Sequence, residues 1–104
     1  MKYLVNAFSL NMLAKEDCVL RIQPLSKEEV VRLAADAVSA VGHQDTAAIF
    51  AAELGVPVQC DRRTVTLNQG DQAIVGQYIG PRLPEGTTTL PEGAQIAWRL
   101  VEVT

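Results

Sequence analysis

The sequence contains little of what metal centres, disulfide frameworks and polyanion-binding surfaces require. Its 104 residues include two cysteines and one histidine, which are too few for a four-ligand zinc site within one chain and do not form a disulfide pattern. Lysine and arginine number 9 against 12 acidic residues, a formal charge of −3. This balance argues against binding of long nucleic acid through a broad basic face, because such binding needs many phosphate contacts. A small anionic ligand is still compatible with it.

Long apolar runs are also absent. The N-terminal segment MKYLVNAFSL carries one lysine and is interrupted by Asn6, so it lacks the regions of a signal peptide. The longest apolar stretches fall far short of the roughly 20 residues that cross a bilayer. We therefore expect a cytoplasmic protein with reduced thiols and no membrane contact. The content of 48% hydrophobic and 20% charged residues is typical of a single globular domain, here residues 1–104.

Hydrophobic periodicity predicts two helices among segments with strand character. Ser26-Lys27-Glu28-Glu29 is a capping box, and the apolar spacing after it predicts a helix over residues 27–40 with Gly42 as its left-handed cap. A second helix is predicted to begin beside His43 and to end at Gly55. Strands are predicted at residues 2–8, 18–23, 58–60, 63–67, 72–79 and 95–103, with a hairpin turn at residues 68–71.

This order of elements favours an α/β (α+β) domain with a mixed sheet of about five strands flanked by helices. Residues 80–94 form a long loop before the last strand, and the motif Leu-Pro-Glu-Gly occurs in it twice. Long ordered loops in small domains usually have a function. The prolines restrict the loop around Arg82 and Glu85, and arginine suits bidentate contact with phosphate. The alternative is a solvated ion pair.

His43 lies where one predicted helix ends and the next begins. Amide groups in the first turn of a helix lack helical partners and the dipole is positive there, so a phosphate could lie beside the imidazole. That arrangement suits acid catalysis on a phosphodiester. From position alone, a capping or surface histidine is the more common case. Asn6 interrupts an apolar strand and Ser9 caps the turn after it, so both either brace the turn or face a ligand.

Three segments resemble the small ring nucleases, the family of viral type III anti-CRISPR enzymes and their bacterial homologues. They are NAFSLNML at residues 6–13, VGH at 41–43 and QYIGPRLPEG at 77–86. The resemblance implies a homodimer that binds cyclic tetra-adenylate across its two-fold axis. It also implies cleavage of the ring to linear di-adenylates without metal or cofactor, which switches off type III CRISPR signalling.

The resemblance also implies roles for individual residues. The catalytic positions of the family match His43, Arg82 and Glu85. The ligand-binding positions match Asn6, Ser9, Gly42 and Gln77, or Tyr78 in place of Gln77 if the spacing differs. Cleavage without metal requires the ribose 2′-hydroxyl to attack its own phosphodiester in line, so the protein must orient the ring, stabilise negative charge and protonate the leaving 5′ oxygen. The expected product then carries a 2′,3′-cyclic phosphate.

Two other functions would use the same sequence features. A non-catalytic sponge would bind cyclic oligoadenylate through the same polar residues, and His43 would then be dispensable. A small partner-binding protein of a virus or mobile element would instead contact another protein through the Leu-Pro-Glu-Gly loop.

Overall fold

A mixed five-stranded sheet with two helices organises the structure, a computed structural model that describes residues 1–104. The elements in chain order are β1 (Lys2–Val5), a 3-10 turn (Leu10–Met12), β2 (Leu20–Pro24), α1 (Lys27–Ala34), β3 (Val38–Ser39), α2 (Gln44–Leu54), β4 (Gln72–Ile79) and β5 (Gln95–Val103). The strand order is β2-β5-β4-β1-β3. β1 is parallel to β3 and β4, whereas β5 is antiparallel to β2 and β4. The predicted α+β fold with a mixed sheet of about five strands is confirmed.

The two faces of the sheet carry different layers. Both helices pack on one face, where Ile74 and Trp98 are buried and the rings of Phe50 and Trp98 lie 4.7 Å apart. Neighbouring strand residues point to opposite faces, so Val75 lies on the other face. That face is covered at one end by irregular segments, in which Leu67 is almost fully buried. At the other end, beyond Val75, the sheet is open.

The first helix is shorter than predicted. It ends at Ala34 rather than at residue 40, and Val38–Ser39 instead pairs with β1 as a parallel edge strand. Apolar residues at 37, 38 and 41 fit either a helix or a strand, and pairing with β1 decides in favour of the strand. The prediction of Gly42 as a left-handed cap is therefore wrong, since Gly42 has no positive φ. Its amide N–H donates to Asn6 Oδ1 at 3.3 Å.

Two predicted strands are not strands in the structure. Residues 58–60 and 63–67 make only isolated bridges, Val41 with Cys60 and Leu13 with Leu67. The alternation at residues 63–67 is real, because Val65 and Leu67 are buried, but they pack onto the sheet instead of pairing within it. Residues 68–71 consequently form a turn that does not join two strands of a hairpin.

The remaining elements agree more closely with the sequence. α2 begins after His43 and ends at Gly55, whose φ of 71° is the expected left-handed cap. β4 and β5 have the predicted bounds, while β1 ends three residues early and β2 begins two residues late. Neither helix has the length and apolar content that a membrane crossing would require.

Candidate functional site

The carboxyl ends of β1, β3 and β4 meet at one edge of the sheet. Because these strands are parallel neighbours, the segments that follow them emerge side by side. Asn6 follows β1, His43 lies shortly after β3, and the 80–94 loop follows β4. Ligands of open α/β sheets commonly bind at such an edge. Most of the polar residues singled out in the sequence are therefore brought to one end of the molecule.

His43 is the N-cap of α2. Its backbone is extended (φ −135°, ψ 129°), and its Nδ1 accepts a hydrogen bond from the Asp45 amide at 3.2 Å. An imidazole nitrogen that accepts carries no proton, so a neutral ring in this position has its proton on Nε2. The ring itself is exposed. The cap thus fixes which nitrogen is left to face a ligand.

The 80–94 loop is braced beside His43. The Tyr78 hydroxyl donates to the Pro81 carbonyl at 2.6 Å, and Thr87 donates to the Pro84 carbonyl from both its amide and its hydroxyl. The Gly86 amide donates to Asp45 Oδ2 at 2.7 Å. The last of these bonds ties the loop to the first turn of α2.

His43, Arg82 and Glu85 line one open cleft of about 490 Å³, which we call the histidine cleft. Its other lining residues are Asp45, Thr46, Leu83 and Pro84. Arg82 and Glu85 are exposed and form no ion pair with each other or with another residue. A cation, an acid and an imidazole thus surround a space that is large enough for part of a nucleotide.

Asn6 and Gln77 lie in a second cleft of about 330 Å³ on the open end of the sheet, which we call the sheet cleft. Arg99 of β5 lies in it as well. Tyr78 does not line this cleft, because it lies on the opposite face of β4 and bonds to Pro81. Of Gln77 and Tyr78, the two alternatives for this predicted ligand-binding position, only Gln77 faces this cleft.

The remaining predicted ligand-binding residues have other surroundings. Ser9 caps the 3-10 turn, its Oγ accepting the Asn11 amide at 3.2 Å, and it lies outside both clefts. Gly42 is held through its amide to Asn6, so that one hydrogen bond connects the end of β1 to the residue before His43.

Three residues beside the predicted site were missed in the sequence. Arg99 lines the sheet cleft, Arg63 lies in a neighbouring cleft of about 290 Å³ with Asn6, and Asp45 joins His43 to the loop. A signal existed for Arg99, a charged residue between Ala97 and Val101 on an otherwise apolar face of β5. Arg63 pairs with Asp61 and gave no signal. No group of three or more histidine, cysteine or acidic side chains is arranged to hold a metal ion.

The chain is similar to proteins of known structure over nearly its whole length. The profile of the STIV B116-like family matches residues 2–98. B116 of Sulfolobus turreted icosahedral virus is 28% identical, with a TM-score of 0.81 and coverage of 97% of both chains. No curated protein matches the chain significantly. The viral relative therefore shares the fold across the region that holds both clefts.

Proposed function

The chain belongs to the STIV B116-like family, and from the residues that line its histidine cleft we propose that it is a metal-independent ring nuclease of the cytoplasm. It binds cyclic tetra-adenylate across a homodimer and cleaves it to linear di-adenylates with 2′,3′-cyclic phosphate ends. This ends type III CRISPR signalling. The observation that carries the proposal is the histidine cleft, where an exposed imidazole lies beside an unpaired Arg82 and Glu85.

The reaction is an intramolecular transesterification, in which the bond from phosphorus to the 5′ oxygen is exchanged for a bond to the 2′ oxygen. The ribose 2′ oxygen attacks the adjacent phosphorus, the bond from phosphorus to the 5′ oxygen breaks, and a 2′,3′-cyclic phosphate remains. The 2′-hydroxyl gives up one proton to solvent water and the leaving 5′ oxygen gains one, so the net proton count does not change. His43 Nε2, the ring nitrogen that does not bond to the Asp45 amide, donates the proton to the leaving oxygen, and solvent water returns a proton to the ring.

Charge and orientation come from the surrounding residues. Arg82 stabilises the additional negative charge on the phosphoryl oxygens. Glu85, which has no ion-pair partner, orients either Arg82 or a ribose hydroxyl. Gln77 and Arg99 hold the rest of the ring in the sheet cleft. These contacts hold the ribose 2′ oxygen in line with the bond that breaks before the reaction begins, so no metal ion is needed to orient the substrate.

A second copy of the chain completes the site in this proposal. A ring of four identical nucleotides and a homodimer can share one two-fold axis, which gives two equivalent scissile phosphates. Two copies of Arg82 and Arg99 then face one tetra-anion. Few cations per chain suffice for such a ligand, which agrees with a formal charge of −3.

The direct test incubates the purified protein with cyclic tetra-adenylate in EDTA and separates the products. We expect linear di-adenylate that ends in a 2′,3′-cyclic phosphate. Absence of cleavage would overturn the enzymatic function, and a requirement for a divalent metal would overturn the mechanism.

His43→Asn tests the role of the histidine without removing the helix cap. Asparagine is among the preferred N-cap residues, whereas alanine would cost about 0.5–2 kcal/mol at this position. We expect His43→Asn to bind the ring and to cleave it roughly 10²- to 10⁴-fold more slowly. Cleavage at the wild-type rate would remove His43 from the mechanism.

The second candidate is a non-catalytic sponge for cyclic oligoadenylate. The observation that favours it is the structural role that His43 already has as the cap of α2. A sponge binds the ring tightly and releases it intact, so the EDTA assay distinguishes the two candidates.

A further inference from the structure

We propose that Asp45 is a positioning residue that latches the 80–94 loop onto the first turn of α2, in the arrangement in which Arg82 and Glu85 face His43. The Asp45 carboxylate accepts the Gly86 amide at 2.7 Å. The backbone amide of the same residue donates to His43 Nδ1 at 3.2 Å. One residue therefore contacts both sides of the histidine cleft. This inference rests on the proposed ring-nuclease function.

The hydrogen bond from Gly86 to Asp45, which we call the Asp45 latch, is the main polar contact between the loop and the rest of the protein. The other hydrogen bonds made by residues 82–94 are internal, from Thr87 to Pro84 and from Ala94 to Pro91. The bond from Gly86 to Asp45 joins segments 41 residues apart. Hydrogen bonds to an ionised acceptor are stronger than neutral ones. Loss of this bond leaves the turn that carries Glu85 intact but free to move relative to His43.

The charge of Asp45 is itself an argument for such a role. In the first turn of α2 the carboxylate interacts favourably with the helix dipole. The same negative charge lines a cleft that is proposed to receive phosphates, and like charges repel there. The Asp45 carboxylate therefore weakens phosphate binding. Its hydrogen bond to Gly86 offsets this loss, because it holds the loop in place during cleavage.

Asp45→Ala and Asp45→Asn separate position from charge. Both remove the negative charge, but asparagine keeps an oxygen that can accept the Gly86 amide. We expect Asp45→Ala to lower kcat roughly 10- to 100-fold, the order of loss that follows from a misplaced catalytic group. KM should stay equal or fall, because repulsion of the phosphates is removed. Asp45→Asn should recover most of kcat while keeping the lower KM.

Glu92→Gln is the matched control. Glu92 lies in the same loop, is exposed and makes no hydrogen bond or ion pair. Its substitution changes the net charge by the same amount as Asp45→Asn. We expect wild-type kcat and KM for this variant. An equal loss of kcat in Glu92→Gln and Asp45→Ala would overturn the proposal, because loop charge alone would then explain it.

A second readout needs no substrate. In ¹⁵N-labelled protein without ligand, the amide signal of Gly86 reports its hydrogen bond, and its heteronuclear NOE reports motion on the ps–ns timescale. We expect a change of shift and a lower NOE in Asp45→Ala, with smaller changes in Asp45→Asn and none in Glu92→Gln. An unchanged Gly86 signal in Asp45→Ala would overturn the latch.

The two readouts keep the latch and the proposed function apart. If the wild-type protein does not cleave the ring, the ring-nuclease function fails while the Gly86 signal still decides whether the latch exists. If the wild type cleaves and Asp45→Ala loses the Gly86 bond but keeps its kcat, the positioning role is overturned and the function stands.

Discussion

Gly76 of β4 lies under the two aromatic rings that join the sheet to α2. A Cβ built at this position would be 2.6 Å from Phe50 Cζ and would also collide with the ring of Trp98. Phe50 is fully buried and Trp98 nearly so, so neither ring can move into solvent. We expect Gly76→Ala to lower the free energy of unfolding by about 1–3 kcal/mol through overpacking, as measured by urea denaturation.

Gly42→Ala is the control for that substitution. Gly42 also has no positive φ, but a Cβ there would lie 3.8 Å from Arg62 Cγ, an ordinary contact distance. We expect Gly42→Ala to change the free energy of unfolding by no more than about 1 kcal/mol. An increase is expected where the main effect is that alanine restricts the unfolded chain more than glycine does. Equal destabilisation by both substitutions would mean that the aromatic contact is not the cause.

Individual site residues differ in how far the sequence could predict them. His43 could be singled out because it is the sole histidine and lies between two helical patterns, and Arg82 and Glu85 because prolines surround them. Asp45 could not, because its partner Gly86 is distant in sequence and the contact exists only after the loop folds back. The assignment of catalytic roles to these residues stays a prediction.

The turn at residues 68–71 holds the start of β4 through one buried carboxyl. Asp71 Oδ2 accepts the Asn68 amide at 2.9 Å, and Oδ1 accepts the Met1 α-ammonium group at 2.9 Å. The Asn68 amide and, next, the ammonium group hold the pKa of Asp71 below its ordinary value of 3.8, although burial acts in the opposite direction.

This lowered pKa makes the stability depend on pH in a defined direction. The unfolded chain binds a proton at Asp71 more readily than the folded one does, so the contribution is complete above about pH 5 and is lost as the pH falls below 3.8 through the folded pKa. We expect Asp71→Asn to cost about 1–3 kcal/mol at pH 7. The difference from wild type should shrink between pH 5 and pH 3 in urea unfolding.

Asp17→Asn serves as the comparison, since Asp17 is exposed and accepts no hydrogen bond from a side chain or amide. At pH 7 it should unfold at the same urea concentration as the wild type. A constant gap between wild type and Asp71→Asn down to pH 3 would contradict the linkage.

Elements whose bounds are set by nearby residues could be predicted from the sequence. Elements that depend on contacts with distant segments could not. α2 carries a cap at each end, and β4 and β5 are long alternating runs, so their bounds follow from residues nearby. Residues 35–41 have apolar spacing that suits two structures, and β1 selects the strand. Residues 63–67 alternate as a strand does, but their apolar side chains pack onto one face of the sheet and cover it.

At the scale of the whole molecule, the proposed dimer predicts the ratio of ligand to protein. Isothermal titration of the His43→Asn variant with cyclic tetra-adenylate, which should bind without turnover, is expected to give one ring per two chains. The dyad shared by ring and dimer is the reason. A ratio of one ring per chain, with a monomer in sedimentation, would contradict a site built from two copies.

The position of β5 between β2 and β4 has a consequence during translation. Both neighbours are synthesised before the strand that joins them, so the sheet cannot close until Val103 has left the ribosome. At a synthesis rate of about 5–20 residues per second, the residues from the end of β4 to Val103 take roughly 1–5 seconds to synthesise, and two strand edges stay unpaired for that time. Unpaired backbone groups at a strand edge can associate with other chains. Yield in a cell should therefore depend on the chaperones that reach the nascent chain in that interval.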